Sequence, residues 1–264
     1  MKIALCIKQV PDTSDIKWTE NNTINREGVE SIINPYDVYA IEAALQIKKT
    51  IPNTKITVLT MGPQQAVSML KKTIALGVDD GVLISDKKFA GADTYATGKT
   101  ISKAIQTAVS DYSMVICGQF AIDGDTAQTG PSIANHLNIP QITFVKEILE
   151  CNENYVIVKR QADAGLETIK AELPILLCMQ MGDFEPTRAL IDGYKKAQSA
   201  EIKTLTMEDL GLNAEEVGIK GSPTYVSKAF RPIITRNSEK ITYSENSAEI
   251  LKTKLTEYMA GENE

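Results

Sequence analysis

The residues that could do chemistry in this chain are concentrated in one polar loop between Ile116 and Pro131. An apolar run ends at Gly118, and the chain then passes through Gly124-Asp125-Thr126-Ala127-Gln128-Thr129 into the start of a helix. The first N–H groups of a helix have no partner within it, and the helix dipole adds partial positive charge there. The loop therefore predicts a binding site for an anion such as phosphate, with no need for a metal ion or a lysine.

Two acidic side chains in the same loop, Asp123 and Asp125, weaken a purely electrostatic argument for phosphate. Two carboxylates would repel a diphosphate. One of them could instead cap the helix by accepting a backbone N–H, an arrangement worth roughly 0.5–2 kcal/mol. From the residues alone, a phosphate site and a bare capped helix both remain open.

Other kinds of catalytic site are not indicated. The sequence contains neither Gly-x-Gly-x-x-Gly nor Gly-x-x-x-x-Gly-Lys-Ser/Thr, so the usual dinucleotide fingerprint and the P-loop are both absent. The single histidine, His136, falls inside a predicted helix, and no Ser/His/Asp or Cys/His combination can be assembled. We therefore expect no catalytic side chain, and any redox chemistry must come from a bound cofactor.

The cysteines do not indicate a metal site. Cys6, Cys117, Cys151 and Cys178 are far apart in sequence, and His136 has no partner at ligand spacing. We interpret the cysteines as small buried apolar residues in a reducing compartment. Cys6 alone keeps a functional interpretation, because it lies at the end of the first predicted strand.

Charge and hydropathy exclude two classes of partner. A net charge of −6 and a pI near 5.1 argue against nucleic acid, since no basic run is longer than a pair such as Lys195-Lys196. No segment approaches the roughly 20 apolar residues of a membrane span. Met1 leads directly into a predicted strand, with no signal or transit peptide, so we expect a soluble cytoplasmic protein.

The polar loop would be positioned by alternating strands and helices. Strand-length apolar runs occur at Lys2–Val10, Lys55–Gly62, Gly81–Ser85, Ser113–Gly118 and Gln141–Val145. Between them lie segments with a period of about 3.6 residues, and this alternation is typical of a doubly wound parallel sheet. Asn34 followed by Pro35 predicts the start of the first helix, and Asp93 predicts the cap of a later one. The loops after the strands should share one edge of the sheet, where ligands bind.

The pattern changes after about residue 150. Two alternating segments surround Asp163-Ala164-Gly165 and predict an antiparallel hairpin, and Ile175–Met179 predicts a further strand. Gly182–Ala200 has little strand character, and Asn246–Met259 predicts a last helix. The predicted fold class is α/β, with a doubly wound, mainly parallel sheet, antiparallel additions after about residue 150 and an extended C-terminal arm.

Several motifs, taken in order, resemble the β subunit of electron transfer flavoproteins. They are Ile7-Lys8-Gln9-Val10-Pro11-Asp12, Asn34-Pro35-Tyr36-Asp37, Val58-Leu59-Thr60-Met61-Gly62-Pro63, the run from Gly118 to Gly130, Asp163-Ala164-Gly165-Leu166-Glu167-Thr168 and Glu185-Pro186. The resemblance spans about residues 1–200, while the remaining tail matches only in general character.

The resemblance implies that residues 1–200 form an adenine-nucleotide-binding domain. Its implied cofactor-binding residues are Cys6, Lys8, Asn34, Tyr36, Asp37, Met61, Gln119, Phe120, Ala121, Ile122, Asp123, Gly124, Asp125, Thr126, Ala127, Gln128, Thr129 and Gly130. Lys8 and Phe120 are candidates for tuning a bound ring, with solvation or packing as the alternative role. In this setting the two aspartates of the loop are expected to cap the helix and not to face phosphate.

The identity of the nucleotide separates two functions. In the bifurcating members of the family it is FAD, which accepts electrons from NADH, sends one to ferredoxin or flavodoxin, and sends the other through the α-subunit FAD to a partner dehydrogenase. In the conventional carriers it is a structural AMP. Pro11-Asp12-Thr13 and Gly130-Pro131 resemble the bifurcating group. The nucleotide therefore also decides whether the chain is part of an enzyme. A nucleotide-sensing regulator is a more distant alternative.

Two further segments resemble partner-binding parts of the family. Residues 183–197 resemble its recognition loop, in which Ile191 is by position the exposed anchor for the dehydrogenase and Glu185 is a second contact residue. An ordinary surface loop is the alternative. Asp192-Gly193 replaces a proline-containing stretch, which suggests a different dehydrogenase. Residues 201–264 are expected to form an arm that packs on the α subunit.

Overall fold

The computed structural model describes residues 1–12, 17–18, 24–25, 31–182, 186–227, 238 and 240–261. The chain separates into two units, Met1–Lys228 and Ala229–Glu264. Within the described part of the chain, no helix combines the length and the apolar character that a membrane span requires.

Strands and helices alternate through most of the first unit. The strands are β1 (Lys2–Cys6), β2 (Gln9–Pro11), β3 (Lys17–Trp18), β4 (Ile24–Asn25), β5 (Ser31–Ile33), β6 (Lys55–Met61), β7 (Asp80–Ile84), β8 (Met114–Gly118), β9 (Gln141–Cys151), β10 (Tyr155–Ala162), β11 (Gly165–Glu172), β12 (Ile175–Met179) and β13 (Lys203–Leu205). The helices are α1 (Pro35–Thr50), α2 (Val67–Ala75), α3 (Thr94–Ala108), α4 (Thr129–Leu137) and α5 (Ile191–Ser199). The second unit contains α6 (Ser247–Gly261).

Nine of these strands form one sheet in the order β11-β10-β9-β12-β8-β1-β6-β7-β13. The seven strands β9, β12, β8, β1, β6, β7 and β13 pair in parallel. Strand β10 runs antiparallel to β9, and β11 runs antiparallel to β10. The predicted fold class is therefore confirmed. Two small antiparallel pairs, β2 with β5 and β3 with β4, lie outside the main sheet.

The helices cover both faces of the sheet. Side chains from α1 and α2 pack with Ile3 and Leu5 on one face, whereas side chains from α3 and α4 pack with Ala4 and Cys6 on the other. Successive residues of a strand point to opposite faces, so a central strand covered on both sides has to be continuously apolar. The run from Ile3 to Cys6 meets that requirement, and all of its residues are buried.

The order of the strands creates a crevice between β1 and β8. From β1 the chain continues through β6 and β7 on one side, and it then crosses to β8 on the other side of β1. The connections leave these two neighbouring strands toward opposite faces, so the space beyond their carboxyl ends stays open. This is the edge at which the sequence predicts a ligand.

Three sequence predictions about elements were wrong or incomplete. The predicted strand Lys2–Val10 is divided into β1 and β2, because β2 leaves the main sheet to pair with β5. Strand β9 extends to Cys151 and so joins the parallel part of the sheet to the antiparallel hairpin. The segment Gly182–Ala200, which shows little strand character, contains a helix, α5.

Candidate functional site

Asp37 connects the ends of β1 and β8. Its side chain accepts hydrogen bonds from the backbone N–H of Lys8 at 2.6 Å and from that of Gly118 at 3.0 Å. Lys8 comes shortly after the end of β1, and Gly118 is the last residue of β8, so both lie at the strands that flank the crevice. The carboxyl group is buried, and burial raises its pKa from 3.8 to about 7, although the two backbone hydrogen bonds act in the opposite direction.

Gly118 is required by this arrangement. A Cβ atom at Gly118 would collide with Asp37 Oδ1 and would lie 2.8 Å from the backbone carbon of Tyr36. The first turn of α1 therefore packs directly on the backbone at the end of β8. Where two backbones approach this closely, only glycine, which has no Cβ atom, fits without displacing its neighbours.

Asn34 attaches the polar loop to the start of α1. The sequence predicts that Asn34 caps this helix, and it does occupy the N-cap position before Pro35, but its side chain makes no capping hydrogen bond. Instead Nδ2 donates to the carbonyl oxygen of Phe120 at 2.9 Å, and Oδ1 accepts from the backbone N–H of Ile122 at 3.1 Å. The amide is thus buried against the first residues of the loop.

The two loop aspartates do not cap α4, which corrects the expectation from the sequence. The helix begins at Thr129, its N-cap is Gln128, and no side chain caps it. Asp125 is too early in the chain for that position and instead closes a turn, in which its backbone N–H donates to the carbonyl oxygen of Ala121. The carboxylate of Asp123 accepts from Lys8 Nζ at 2.7 Å, so its charge is neutralised by an ion pair.

The backbone before α4 presents N–H groups that lack an acceptor. Ala127 has a φ of +54°, a left-handed conformation that residues other than glycine rarely adopt, and Gln128 returns to the right-handed region. Adjacent residues of opposite hand direct their N–H groups toward a common concave side. Among the described residues, no hydrogen-bond acceptor meets the N–H groups of Thr129 and Gly130, which open the helix.

These features border one cavity of about 620 Å³. Most of the predicted cofactor-binding residues line it: Cys6, Lys8, Asn34, Asp37, Met61, Gln119, Phe120, Ala121, Gly124, Asp125, Thr126, Ala127, Gln128, Thr129 and Gly130. Tyr36, Ile122 and Asp123 do not line it, but each contacts a residue that does. The Tyr36 ring packs against Phe120 at 4.0 Å between centroids, and Ile122 and Asp123 hold Asn34 and Lys8.

The cavity also has a wall that the sequence did not predict. Its further lining residues include Phe89 and Ile101, Asp93, Thr94 and Thr97 at the start of α3, and the distant segment Thr224, Tyr225 and Val226. Only Asp93 carried a signal in the sequence, as a predicted helix cap, and its carboxylate does accept from the backbone N–H of Ala96. The segment near Tyr225 belongs to no strand or helix, so no periodicity could have indicated it.

Three cysteines lie side by side under the cavity. Cys6 pairs with Cys117 across β1 and β8, and Cys117 pairs with Cys178 across β8 and β12. The Cys117 and Cys178 sulfur atoms are 3.7 Å apart. Burial raises the pKa of Cys6 to about 12, and the contact with Cys178 together with burial raises that of Cys117. The prediction of buried cysteines is confirmed for these three.

The surface segment predicted to bind a partner is built on α2 and α5. Leu190, Ile191 and Tyr194 expose 76%, 75% and 63% of their surface. A Cβ atom at Gly193 would collide with the carbonyl oxygen of Ala75, so the missing side chain lets α5 pack closely on the end of α2. Glu185 lies outside the described residues.

The segment before α5 is held by α1. Both carboxylate oxygens of Glu42 accept hydrogen bonds from Thr187, one from its backbone N–H and one from its hydroxyl, each at 2.6 Å. Glu42 is buried, and it lies on the same helix whose first turn carries Asp37. Helix α1 therefore borders the cavity through Asp37 and holds the segment before α5 through Glu42.

In the second unit, α6 carries several exposed apolar side chains. Ile250, Leu251, Leu255, Tyr258 and Met259 are each at least 41% exposed. The predicted range Asn246–Met259 agrees closely with α6. An isolated helix of this kind gains most of its stability from packing of its apolar face.

A family model and several relatives all match this chain to the same protein family. Residues 21–210 match the model of the electron transfer flavoprotein domain. The chain is 42% identical over 247 residues to "Electron transfer flavoprotein subunit beta" of Thermoanaerobacterium thermosaccharolyticum, with 92% of each chain covered. It is 42% identical to "Caffeyl-CoA reductase-Etf complex subunit CarD" of Acetobacterium woodii, again with 92% of each chain covered. It is also 42% identical to "Acryloyl-CoA reductase electron transfer subunit gamma" of Anaerotignum propionicum, over 88% of this chain and 89% of the relative.

The family match over residues 21–210 includes every strand of the main sheet except β1. The resemblance found in the short motifs around Asn34, Met61 and Gly118 thus extends to the chain as a whole. With identities of 42% over about nine-tenths of its length, this chain belongs to the electron transfer flavoprotein family.

Proposed function

We propose that the chain is the β subunit of a heterodimeric electron transfer flavoprotein and that its cavity binds FAD. The observation that carries this proposal is the donor set at the start of α4, where the N–H groups of Thr129 and Gly130 have no acceptor among the described residues. They lie at the positive end of a helix, beside the crevice between β1 and β8. This combination suits a phosphate group of a nucleotide.

The charges around the cavity are compatible with a bound diphosphate. Among the described residues that line it, Lys8 is the only one with a basic side chain, and it forms an ion pair with Asp123. The pair removes the repulsion that Asp123 would otherwise exert on an anion. Asp125 is exposed, so water screens its charge.

The floor of the cavity is suited to an aromatic ring system. Met61, Phe89, Ile101 and Ile133 contribute apolar surface, and Cys6 and Cys117 contribute thiols that behave as small apolar groups. Ligand sites of this kind combine an apolar lining with a few polar groups that fix orientation. Here the polar groups are the backbone at the start of α4 and the side chains near the start of α1.

A bound FAD would supply the redox chemistry by accepting electrons from NADH and releasing them singly. The residues of this chain would bind the phosphates, orient the nucleotide and exclude water from its inner side. In the proposed bifurcation one electron goes to ferredoxin or flavodoxin, and the other goes through the α-subunit FAD to a partner dehydrogenase. The names of two relatives support a dehydrogenase partner of this general kind, since each name joins an electron-transfer subunit to a CoA reductase.

The two partner surfaces complete the proposal. Leu190, Ile191 and Tyr194 are large, apolar and exposed on a helix that is anchored from behind, which suits contact with a dehydrogenase. The exposed apolar side of α6 suits burial against the α subunit, as part of the arm over residues 201–264.

Counting cofactors tests the proposal. The chain is co-expressed with its α subunit, and the purified heterodimer is analysed for FAD and AMP after mild denaturation. Two FAD per heterodimer are expected, with reduction of ferredoxin by NADH when the partner dehydrogenase and its substrate are present. One FAD together with one AMP would contradict bifurcation and identify a conventional carrier. ATP without flavin would instead support a nucleotide-sensing regulator.

A further inference from the structure

One wall of the cavity comes from a segment far along the chain from the polar loop. Residues 222–226 run beside the first turn of α3, and Thr224, Tyr225 and Val226 line the cavity. We call residues 222–226 the outer strap. It belongs to no helix or strand, so its position depends on side-chain contacts.

Asp93 holds the outer strap in place. Its Oδ2 accepts from the backbone N–H of Thr224 at 3.0 Å and from the Thr224 hydroxyl at 2.9 Å. Its backbone N–H donates to Ser222 Oγ at 2.8 Å. Because Oδ1 meanwhile caps α3 through the N–H of Ala96, a single side chain fixes both the helix start and the strap.

The strap holds an aromatic ring at the mouth of the cavity. Tyr225 exposes 79% of its surface and Val226 exposes 85%. When a ligand covers exposed apolar side chains beside a cavity, the burial of their surface makes the free energy of binding more favourable. Because the backbone at Thr224 is already held, little conformational entropy is lost when the Tyr225 ring meets a ligand.

The strap lies near one particular end of the polar loop. Asn34 contacts the first residues of that loop, at Phe120 and Ile122. The last residues of the loop border α3, where the Thr94 hydroxyl lies 3.4 Å from Gln128 Oε1. The strap, which is fixed to Asp93 just before α3, is therefore next to the start of α4.

We propose that Tyr225 contacts the part of a bound dinucleotide that extends beyond the phosphate held at the start of α4. A mononucleotide such as AMP ends at that phosphate and would leave the ring uncovered. The outer strap would thus help this chain to distinguish FAD from AMP. This inference rests on the proposed nucleotide-binding function and adds a specificity-determining residue to it.

The inference is tested by titrating FAD and AMP separately into the heterodimer, with its α-subunit flavin retained and the cavity freed of nucleotide. By isothermal titration calorimetry, Tyr225→Ala should weaken FAD binding by roughly threefold to tenfold, the effect of one aromatic contact, and leave AMP binding within about twofold. Tyr225→Phe keeps the ring and should bind FAD like the wild type. Thr224→Val, which loses one hydrogen bond to Asp93, should weaken FAD binding by a smaller factor.

Leu166→Ala is the control, because Leu166 is 58% exposed on β11 and does not line the cavity. Equal losses of FAD and AMP affinity in Tyr225→Ala would overturn the inference, since the ring would then contact a part that both ligands share. Unchanged FAD affinity would overturn it as well. A wild-type heterodimer that binds neither ligand would instead refute the proposed function itself, and one that binds AMP but not FAD would refute the proposed cofactor.

Discussion

Glu42 and Thr187 are 145 residues apart in sequence, and both carboxylate oxygens of Glu42 accept hydrogen bonds of 2.6 Å from Thr187. Glu42→Ala removes both acceptors and should lower the free energy of unfolding by about 1–3 kcal/mol. The backbone amide of Thr187 should also exchange with deuterium faster. Glu153→Ala, at an exposed position, is the control and should change neither quantity. Unchanged exchange at Thr187 would show that the two hydrogen bonds do not hold this segment.

The buried carboxyl group of Asp37 should make stability depend on pH. Its pKa is about 7 in the folded chain, against an ordinary value of 3.8, because burial favours the neutral form. The unfolded chain therefore releases this proton at lower pH than the folded chain does. The stabilisation is fully present below about pH 4 and is lost as the pH rises through about 7.

Asp37→Asn isolates this effect in urea unfolding at several pH values. The difference in free energy of unfolding between the wild type and the variant should fall by up to about 4 kcal/mol between pH 4 and pH 8, at about 1.4 kcal/mol for each pH unit between the two pKa values. In the variant, an NH₂ group replaces one oxygen that accepts from the backbone N–H of Lys8 or Gly118. This lowers the free energy of unfolding by an amount that does not vary with pH. A difference that stays constant or grows with pH would contradict the assignment.

Gly118 and Gly124 form a matched pair within the same loop region. Gly118→Ala places a Cβ atom against Asp37 and the backbone of Tyr36, so it should destabilise the chain by about 1–3 kcal/mol and reduce the bound nucleotide. Gly124 has no atom within 4 Å of the corresponding position, so Gly124→Ala should be nearly neutral. Thermal unfolding and nucleotide content of the purified heterodimer measure both effects. Similar losses in the two variants would argue against the close approach at Gly118.

The ion pair between Lys8 and Asp123 can be examined by a double-mutant cycle. Lys8→Gln leaves the Asp123 charge without its partner near the proposed phosphate, and we expect nucleotide affinity to fall by roughly threefold to tenfold at low salt. Asp123→Asn should restore most of that loss when it is combined with Lys8→Gln. If the two losses simply add, Lys8 acts on the ligand directly and does not neutralise Asp123.

Ile191 is expected to matter for partner binding and not for folding. Its side chain is 75% exposed, so Ile191→Ala should change the free energy of unfolding by less than about 0.5 kcal/mol and leave flavin content unchanged. Electron delivery to the dehydrogenase should slow by roughly tenfold, as for a contact at the centre of an interface. Leu166→Ala, at another exposed apolar residue, is the control. Unchanged delivery kinetics would exclude Ile191 as the anchor.

The sequence predicted the inner half of the site better than the outer half. Asn34, Met61 and Gly118 each follow or end a regular element, so their place at one edge of the sheet follows from the alternation of strands and helices. The contact between Asp93 and Thr224 joins residues 131 apart, and Thr224 belongs to no element with a detectable period. Such a contact depends on the completed tertiary structure.

Two local errors have specific physical causes. Asp123 and Asp125 are good capping residues by type, but the chain makes a turn at Ala121 and passes through Ala127 in a left-handed conformation before α4 begins. Residues 183–197 were expected to form a loop by resemblance, whereas Ile191–Ser199 form α5, in which Gly193 lets the helix pack against the carbonyl oxygen of Ala75. At the aspartates, packing overrode a local preference of the residues.

The three cysteines on neighbouring strands have a consequence for the chemical durability of the cavity. Oxidants and electrophiles react with thiolates far faster than with thiols, and the raised pKa values of Cys6 and Cys117 keep these groups protonated at neutral pH. A ligand that cycles between oxidation states could therefore rest on sulfur atoms without modifying them. Under this proposal, repeated turnover would leave the floor of the cavity intact without any dedicated repair.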